Sequence, residues 1–180
     1  MMNTYQCKSD IISVSEKEKL LAEARTYNYV NYITDKGTPA GLEFISTLNE
    51  RNKDSIPINT VNQFINRINP QCNFFIATFI KFASKANIFI HKDNHLGRSS
   101  SITWALYPNL ENFSPVKYYD EEQSFNESVY YESNPLIIST RNYHSCENLY
   151  KEDRYTFQLC YYNSIEELAE LDKKGELFNG

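Results

Sequence analysis

The sequence predicts a mainly β protein with flanking helices, arranged as an antiparallel sandwich or barrel. Residues 73–162 contain many short strand-like segments separated by turn residues, with no helical segment between them, which favours antiparallel sheets over a parallel α/β sheet. The chain holds 14 Tyr and 11 Phe but only 5 Gly, a balance that indicates packed sheets rather than disorder. Its 180 residues suffice for one well-buried core and are too few for two comfortable domains, so we expect a single domain over residues 1–180.

Residues 1–72 are predicted to form a helical support for that core. Ser15 and Glu18 fit a capping box, in which the serine accepts a hydrogen bond from an unpaired backbone N–H and the glutamate reaches back. Apolar residues follow on one helical face. A second box pattern begins at Thr60 and opens another helix, and the stretch TDKGTPAG between the two helices is predicted to be a loop.

Residues 73–162 carry the strand pattern, with Ile, Phe, Tyr and Thr concentrated in short runs. We predict strands over Phe74–Phe82, Asn87–His91, Ser100–Tyr107, Val116–Tyr119, Pro135–Ser145 and Tyr155–Tyr162. A capping box at Ser164-Ile165-Glu166-Glu167 then opens a short helix within residues 163–180.

The charge of the chain argues against a general nucleic-acid binder. The formal net charge is −5, whereas affinity for a phosphate backbone comes from Lys and Arg displacing counterions. No stretch is apolar and long enough to span a bilayer, and the start, MMNTYQCKSD, lacks the apolar core of a secretory signal. We therefore expect a cytoplasmic protein with no membrane partner, whose four cysteines, free of any C-x-x-C pair, are reduced core residues.

Three residues of the strand region can supply the ligands of a mononuclear iron(II) site. His91 and Asp93 are two positions apart, so we expect both side chains to project from the same side of a strand, together with Phe89. His144 belongs to a later strand, and the intervening residues are ample for the strands that a jelly roll would insert. Two imidazoles and one carboxylate occupy one triangular face of an octahedral metal and leave the opposite face open for substrates.

Arg154 and Thr156 follow on the next predicted strand and share one of its faces. This face puts a guanidinium fork beside a hydroxyl. The pair suits a buried carboxylate, because arginine offers two parallel charge-assisted hydrogen bonds and threonine adds a third donor. The sequence therefore offers a metal site and a carboxylate anchor at neighbouring positions.

An ordered motif in this region resembles the H-x-D…H…R-x-S/T pattern of the iron(II)/2-oxoglutarate-dependent oxygenase superfamily, and its members here are His91-Lys92-Asp93, His144, Arg154 and Thr156. The resemblance implies a double-stranded β-helix, a jelly roll whose core is residues 73–162. It also implies that His91, Asp93 and His144 hold Fe(II) as the catalytic centre, and that Arg154 and Thr156 bind 2-oxoglutarate as cosubstrate. The implied reaction uses O2 to hydroxylate a substrate, or to demethylate it through hydroxylation, with release of succinate and CO2.

Other interpretations of these residues stay open. His95 could face the same way as His91 if the strand continued, and zinc would then suit the site, although Gly97 favours a loop here. The chain could also be a cupin-like metal-binding protein that does not use 2-oxoglutarate, or a non-enzymatic β-sandwich binding module. The sequence identifies neither the substrate, whether protein side chain or small molecule, nor the oligomeric state.

Two further segments lie close to the predicted site in the sequence. Arg98 and the following Ser99–Ser101 are expected either at the mouth of the pocket or in an exposed loop. Tyr130 and Tyr131, in an acidic stretch before the His144 strand, are expected in a solvated loop or in a lid over the substrate.

Overall fold

Two antiparallel sheets packed face to face form the body of the protein, and helices cover the outer side of the larger sheet. The computed structural model describes residues 2–33, 39–47, 56–93 and 97–179. Within these residues the strands are β1 (Thr4–Gln6), β2 (Val30–Ile33), β3 (Pro39–Ser46), β4 (Phe74–Phe82), β5 (Asn87–His91), β6 (Ser100–Tyr107), β7 (Val116–Tyr119), β8 (Phe125–Val129), β9 (Leu136–Ser139), β10 (His144–Glu147) and β11 (Arg154–Tyr161). The α-helices are α1 (Val14–Ala24), α2 (Ile58–Ile65) and α3 (Ile165–Lys174).

The strand order identifies the fold as a jelly roll. In the described part of the chain, the larger sheet has the order β1-β9-β6-β11-β4-β3-β2 and the smaller sheet the order β5-β10-β7-β8. From β4 onward the chain crosses repeatedly between them: β4, β6, β9 and β11 lie in the larger sheet, while β5, the β7–β8 hairpin and β10 lie in the smaller one. This winding confirms the predicted mainly β fold and its double-stranded β-helix.

Alternation along β11 separates a helix-facing core from the space between the sheets. Phe157 of β11 is fully buried, with its ring centre 5.9 Å from Phe64 of α2, 5.1 Å from Phe79 of β4 and 5.7 Å from Trp104 of β6. Replacing such an enclosed ring by alanine typically costs about 3–5 kcal/mol. The alternate residues of β11 point between the two sheets, where the candidate site lies.

The N-terminal 72 residues are not purely helical, which corrects the sequence prediction. β1 pairs with β9 at one end of the larger sheet, while β3 pairs with β4 and β2 with β3 at the other end. Of the predicted loop TDKGTPAG, residues 34–38 lie outside the described residues, and Pro39 opens β3. Proline is tolerated at the first residue of a strand, so the turn-like composition here does not exclude a strand.

The cap of α1 is Ser13 and not the predicted Ser15. Ser13 Oγ accepts a hydrogen bond from the Glu16 N–H at 3.3 Å, and Glu16 Oε2 accepts one from the Ser13 N–H at 2.9 Å. Both serines stand three residues before a glutamate, so the local pattern fits either register. A tertiary contact distinguishes them, because the Arg67 guanidinium binds the Glu16 carboxylate at 2.6 Å.

The predicted start of α2 is corrected, and the predicted N-terminal cap of α3 is confirmed. α2 begins at Ile58 with Pro57 at its N-cap, so the predicted start at Thr60 is wrong. The box predicted for α3 is confirmed: Ser164 Oγ accepts from the Glu167 N–H at 3.2 Å, and Glu167 Oε2 accepts from the Ser164 N–H at 2.7 Å.

Most strand bounds follow the sequence pattern. β4, β5, β6 and β7 have the predicted ends, and β11 is shifted by one residue at each end. The segment Pro135–Ser145, predicted as one strand, forms β9 and β10 with a turn at residues 140–143. The break is needed because the chain crosses there from the larger sheet to the smaller one.

The four cysteines carry free thiols. Three of them are buried and Cys146 is half-buried, as the interpretation of reduced core residues expects. In the parts of the chain that the structure describes, no helix has the length and apolar character needed to cross a membrane.

Candidate active site

Three side chains that are separated in the sequence, those of His91, Asp93 and His144, meet beside a cavity between the two sheets. The atoms that could bind an ion all lie within 4.8 Å of one another. Nε2 of His91 is 3.5 Å from Oδ1 of Asp93, and Nε2 of His144 is 3.7 Å from Oδ2. The three ligand atoms are therefore close enough to share one metal ion.

A β-bulge turns His91 toward this cluster. In the ladder between β5 and β10, His91 pairs with His144 and Ile88 pairs with Cys146, so β5 contributes one residue more than β10. The extra residue reverses the alternation of side chains along β5. Phe89 consequently points outward and is 68% exposed, which corrects the expectation that it shares a side with His91.

Backbone carbonyl groups fix the orientation of both imidazoles. Nδ1 of His91 donates to the carbonyl oxygen of Phe89 at 2.7 Å, and Nδ1 of His144 donates to that of Asn142 at 2.9 Å. Each bond places the proton on Nδ1 and leaves the lone pair of Nε2 for the cluster. Burial and the nearby His144 ring lower the pKa of His91, which favours the neutral imidazole that a metal requires.

The carboxylate of Asp93 is held by an arginine. Nη2 of Arg98 lies 2.8 Å from Oδ2, and Nε of the same guanidinium donates to the Asp93 carbonyl oxygen at 3.1 Å. Burial raises the pKa of Asp93, but the His144 imidazole and the Arg98 charge outweigh it and hold this pKa well below its usual range. The cluster thus combines one ionised carboxylate with two imidazoles, the ligand set of mononuclear non-heme iron sites.

The cavity joins this cluster to the predicted carboxylate anchor. Asp93 and His144 line it together with Arg154 and Thr156. Apolar side chains from both sheets complete much of the wall, among them Phe82, Val116 and Ile138. The fold therefore brings the residues singled out in the sequence to one region between the sheets.

Arg154 is 1% exposed and is enclosed by aromatic rings. Its guanidinium carbon lies 4.0 Å from the ring centre of Phe113, 4.7 Å from that of Phe82 and 5.4 Å from that of Tyr131. Nη1 donates to two backbone carbonyl groups, each at 3.1 Å. No carboxylate within residues 2–33, 39–47, 56–93 or 97–179 pairs with it, so these contacts position its charge without neutralising it.

Two buried polar atoms of this part of the cavity have no hydrogen-bond partner among the described residues. They are Nε of the Arg154 guanidinium and Oγ1 of Thr156. Positions 154 and 156 of β11 share a face, which brings the two atoms to the same cavity. An unpaired buried N–H or hydroxyl costs about 1–3 kcal/mol. A ligand carboxylate fits this corner, because it can accept from both donors and also neutralise the guanidinium.

Sequence reasoning leaves the position of two residues of the site open. Arg98, expected at a pocket mouth or in an exposed loop, packs against Asp93 with its side chain only 12% exposed. Tyr131, expected in a solvated loop or lid, is 7% exposed, packs edge-on against Phe113 at 4.8 Å and lines the cavity. Both lie outside the strands, so alternation of faces gives no signal for them. His95 lies outside the described residues, and its position in a loop stays a prediction.

Comparison with known proteins finds solved structures of similar fold. No protein-family model matches the chain, and no curated protein does. An oxidoreductase of the 2OG-Fe(II) oxygenase family from Burkholderia pseudomallei superposes with a TM-score of 0.64 at 10% identity, over 90% of this chain and 86% of that chain. A prolyl hydroxylase from Trichoplax adhaerens, solved with a peptide fragment of the hypoxia inducible factor oxygen degradation domain, gives 0.58 at 16% identity over 94% and 86%. The non-heme alpha ketoglutarate dependent epimerase SnoN from nogalamycin biosynthesis gives 0.61 at 14% identity over 88% and 76%.

These likenesses concern the fold. They extend over nearly the whole chain and over most of each matched structure, so the jelly roll and its supporting elements are shared. Identities of 16% or less leave the chemistry to be argued from the residues of the cavity itself.

Proposed function

We propose that this protein is an iron(II)- and 2-oxoglutarate-dependent dioxygenase that hydroxylates its substrate, or demethylates it through hydroxylation. One observation carries the proposal. Asp93 and His144 of the cluster line one cavity with Arg154 and Thr156, whose Nε and Oγ1 atoms are buried and have no hydrogen-bond partner in the described part of the chain. The same fold occurs in a 2OG-Fe(II) oxygenase, which supports the assignment.

His91, Asp93 and His144 would hold the metal. Two neutral imidazole nitrogens and one carboxylate oxygen suit Fe(II), and three protein ligands on one side leave the remaining positions for a keto acid and O2. When bound, iron(II) would supply the activation of O2, which amino-acid side chains cannot perform. The part of the protein is to orient the ligands, and the carbonyl acceptors of both Nδ1–H groups serve that end because they turn each Nε2 toward the cluster.

Arg154 and Thr156 would bind the carboxylate of 2-oxoglutarate that is remote from the metal. The Nε–H of Arg154 and the hydroxyl of Thr156 would donate to its oxygens, and burial strengthens the ion pair because little water competes. Anchoring this end orients the keto and adjoining carboxylate groups toward the metal ligands in the same cavity. The apolar walls keep the cosubstrate out of bulk solvent.

The overall reaction balances with these reactants alone. Substrate, 2-oxoglutarate and O2 give hydroxylated substrate, succinate and CO2, with one oxygen atom of O2 in succinate and the other in the product. The cupin-like alternative uses the same ligands without a keto acid. It offers no occupant for the corner formed by Arg154 and Thr156, and for that reason we prefer the dioxygenase.

The substrate is proposed only as a class, a protein side chain or a small molecule. Solved structures with this fold include a prolyl hydroxylase bound to a peptide and an epimerase of nogalamycin biosynthesis. The net charge of −5 disfavours a nucleic-acid substrate. The cytoplasmic location is part of this proposal and rests on the sequence.

Anaerobic spectroscopy tests the proposal. Adding Fe(II) and 2-oxoglutarate to the metal-free protein should produce the visible charge-transfer band of a chelated keto acid, and succinate in place of 2-oxoglutarate should not. Metal binding without the band would favour the cupin-like alternative. Failure to bind metal, in protein shown by circular dichroism to be folded, would favour the non-enzymatic module.

A further inference from the structure

We propose that Arg98 is a positioning residue of the metal centre, which holds the Asp93 carboxylate in the orientation in which it faces the two imidazoles. The inference rests on the proposed function, because it assumes that the cluster binds a metal. It assigns a role to a residue that would touch neither the metal nor the cosubstrate and would act only through Asp93.

The contacts of Arg98 form a clamp on a single residue. Nη2 binds Oδ2 of the Asp93 side chain at 2.8 Å, while Nε donates to the Asp93 main-chain carbonyl at 3.1 Å. The carboxylate cannot rotate without breaking the first of these bonds, because the second fixes the guanidinium relative to the backbone. At the far end of the fork, Nη1 reaches Cys160 Sγ at 3.5 Å, so the arginine itself is anchored on β11.

Backbone bonds tie the clamp to the second histidine. The Asp93 N–H donates to the Thr140 carbonyl at 2.8 Å, and the Thr140 N–H donates to the Ser99 carbonyl at 3.1 Å. The hydroxyl of Thr140 donates to the Arg98 carbonyl at 3.2 Å. Thr140 thus holds both ends of the segment that leaves β5, and it opens the short turn that leads to His144.

A positioning role and a purely electrostatic role of Arg98 predict opposite effects on metal affinity. A guanidinium beside a divalent cation repels it, so through charge alone Arg98 would weaken metal binding. A partner that orients a ligating carboxylate strengthens binding instead, and losing such a partner typically costs about 10- to 100-fold in metal affinity. The fork geometry and the tie to Thr140 argue that orientation outweighs repulsion here.

The test titrates metal-free protein with Co(II) alone and follows its visible d–d spectrum, with no cosubstrate and no turnover. We expect Arg98→Gln to bind Co(II) about 10- to 100-fold more weakly than the wild type. Arg98→Lys should not restore the affinity, because an ammonium group keeps the charge but cannot bridge the side chain and the main chain. Arg141→Gln, which removes an exposed arginine from the turn before β10, is the matched control and should bind as the wild type does.

A double variant shows whether Arg98 acts through Asp93. In Asp93→Asn protein, adding Arg98→Gln should cause no further loss of Co(II) affinity, whereas a further loss of the same size would mean a general structural role and overturn the inference. Thermal unfolding of each metal-free variant verifies that it is folded. If Arg98→Gln does not fold, the Co(II) affinity of Arg98→Lys alone tests the inference. Equal or tighter Co(II) binding by folded Arg98 variants would also overturn it. A wild type that binds no Co(II) would instead refute the proposed function.

Discussion

His91 and His144 are direct partners in the ladder between β5 and β10, and their ring centroids lie 4.4 Å apart. The distance between the two imidazoles is therefore set by strand register. Strand pairs of this kind are more rigid than loops, so loss of one imidazole cannot be made good by movement of the other.

His144→Ala should abolish the visible band of the Fe(II) and 2-oxoglutarate complex. The substitution removes one of the two proposed nitrogen ligands, and its neighbours in the ladder cannot replace it. The measurement is anaerobic absorption spectroscopy on protein whose fold is verified by circular dichroism. His95→Ala is the matched control, since the chain has three histidines and this one is predicted to lie in a loop. An unchanged spectrum in His144→Ala would remove His144 from the site.

Thr156→Val should weaken 2-oxoglutarate binding without harming the fold. The hydroxyl of Thr156 has no partner among the residues described, so an isosteric methyl group leaves the free energy of unfolding unchanged or slightly higher. A hydrogen bond to a charged ligand is worth about 1.5–3 kcal/mol, or roughly 10- to 150-fold in affinity. Titrating the band with 2-oxoglutarate, together with urea unfolding, measures both effects. Wild-type affinity in this variant would exclude the threonine from the anchor.

Arg154→Lys should separate cosubstrate binding from metal binding. Lysine keeps a positive charge but loses the planar fork and the ring stacking, so affinity for 2-oxoglutarate should fall about 10- to 100-fold while affinity for Fe(II) stays near that of the wild type. Arg154→Ala should show the same separation, with an added loss of stability because it empties a buried, ring-lined space. Separate titrations with Fe(II) and with 2-oxoglutarate test this. Equal loss of both affinities would refute the role of remote anchor.

Glu16→Gln should destabilise the protein in a pH-dependent way. Hydrogen bonds from Arg67 and from the Ser13 backbone lower the pKa of Glu16 from 4.5 to about 2. A lowered folded-state pKa gives stability that is present above the unfolded pKa and is lost as pH falls toward the folded one. The variant should therefore lose about 1 kcal/mol at pH 7, a deficit that shrinks between pH 4.5 and pH 2. Urea unfolding of both proteins across this range tests it, and a constant difference would contradict the assigned pKa.

The roll itself could be predicted because its strands carry a local signal. Phe74–Phe82 and Ser100–Tyr107 are rich in β-branched and aromatic residues, and both have the bounds that their composition suggests. β1 and β8 gave no such signal. Thr4–Gln6 is only three residues long, and Phe125–Val129 is a largely exposed edge strand in an acidic stretch, so each exists through pairing with a neighbour.

The candidate site, too, could be predicted from the sequence only in part. Side-chain type and spacing are enough to single out His91, Asp93 and His144 as candidate ligands, because few side chains have the chemistry to bind a metal. Alternation along a strand is not enough to orient them, since the bulge in β5 depends on register with β10. Arg98 and Tyr131 reach the site from outside the strands, and only the folded chain reveals the partners that retain them.

The enclosure of Arg154 fixes the position of its guanidinium group in the cavity. Stacked rings and two carbonyl acceptors hold its guanidinium in one place, so its distance from the proposed metal ligands is fixed by packing. In the proposed complex, keto diacids that are one carbon shorter or longer than 2-oxoglutarate should therefore bind less well. If Arg154 is the anchor we propose, selection among keto diacids would depend on how the rings of Phe82, Phe113 and Tyr131 pack around it.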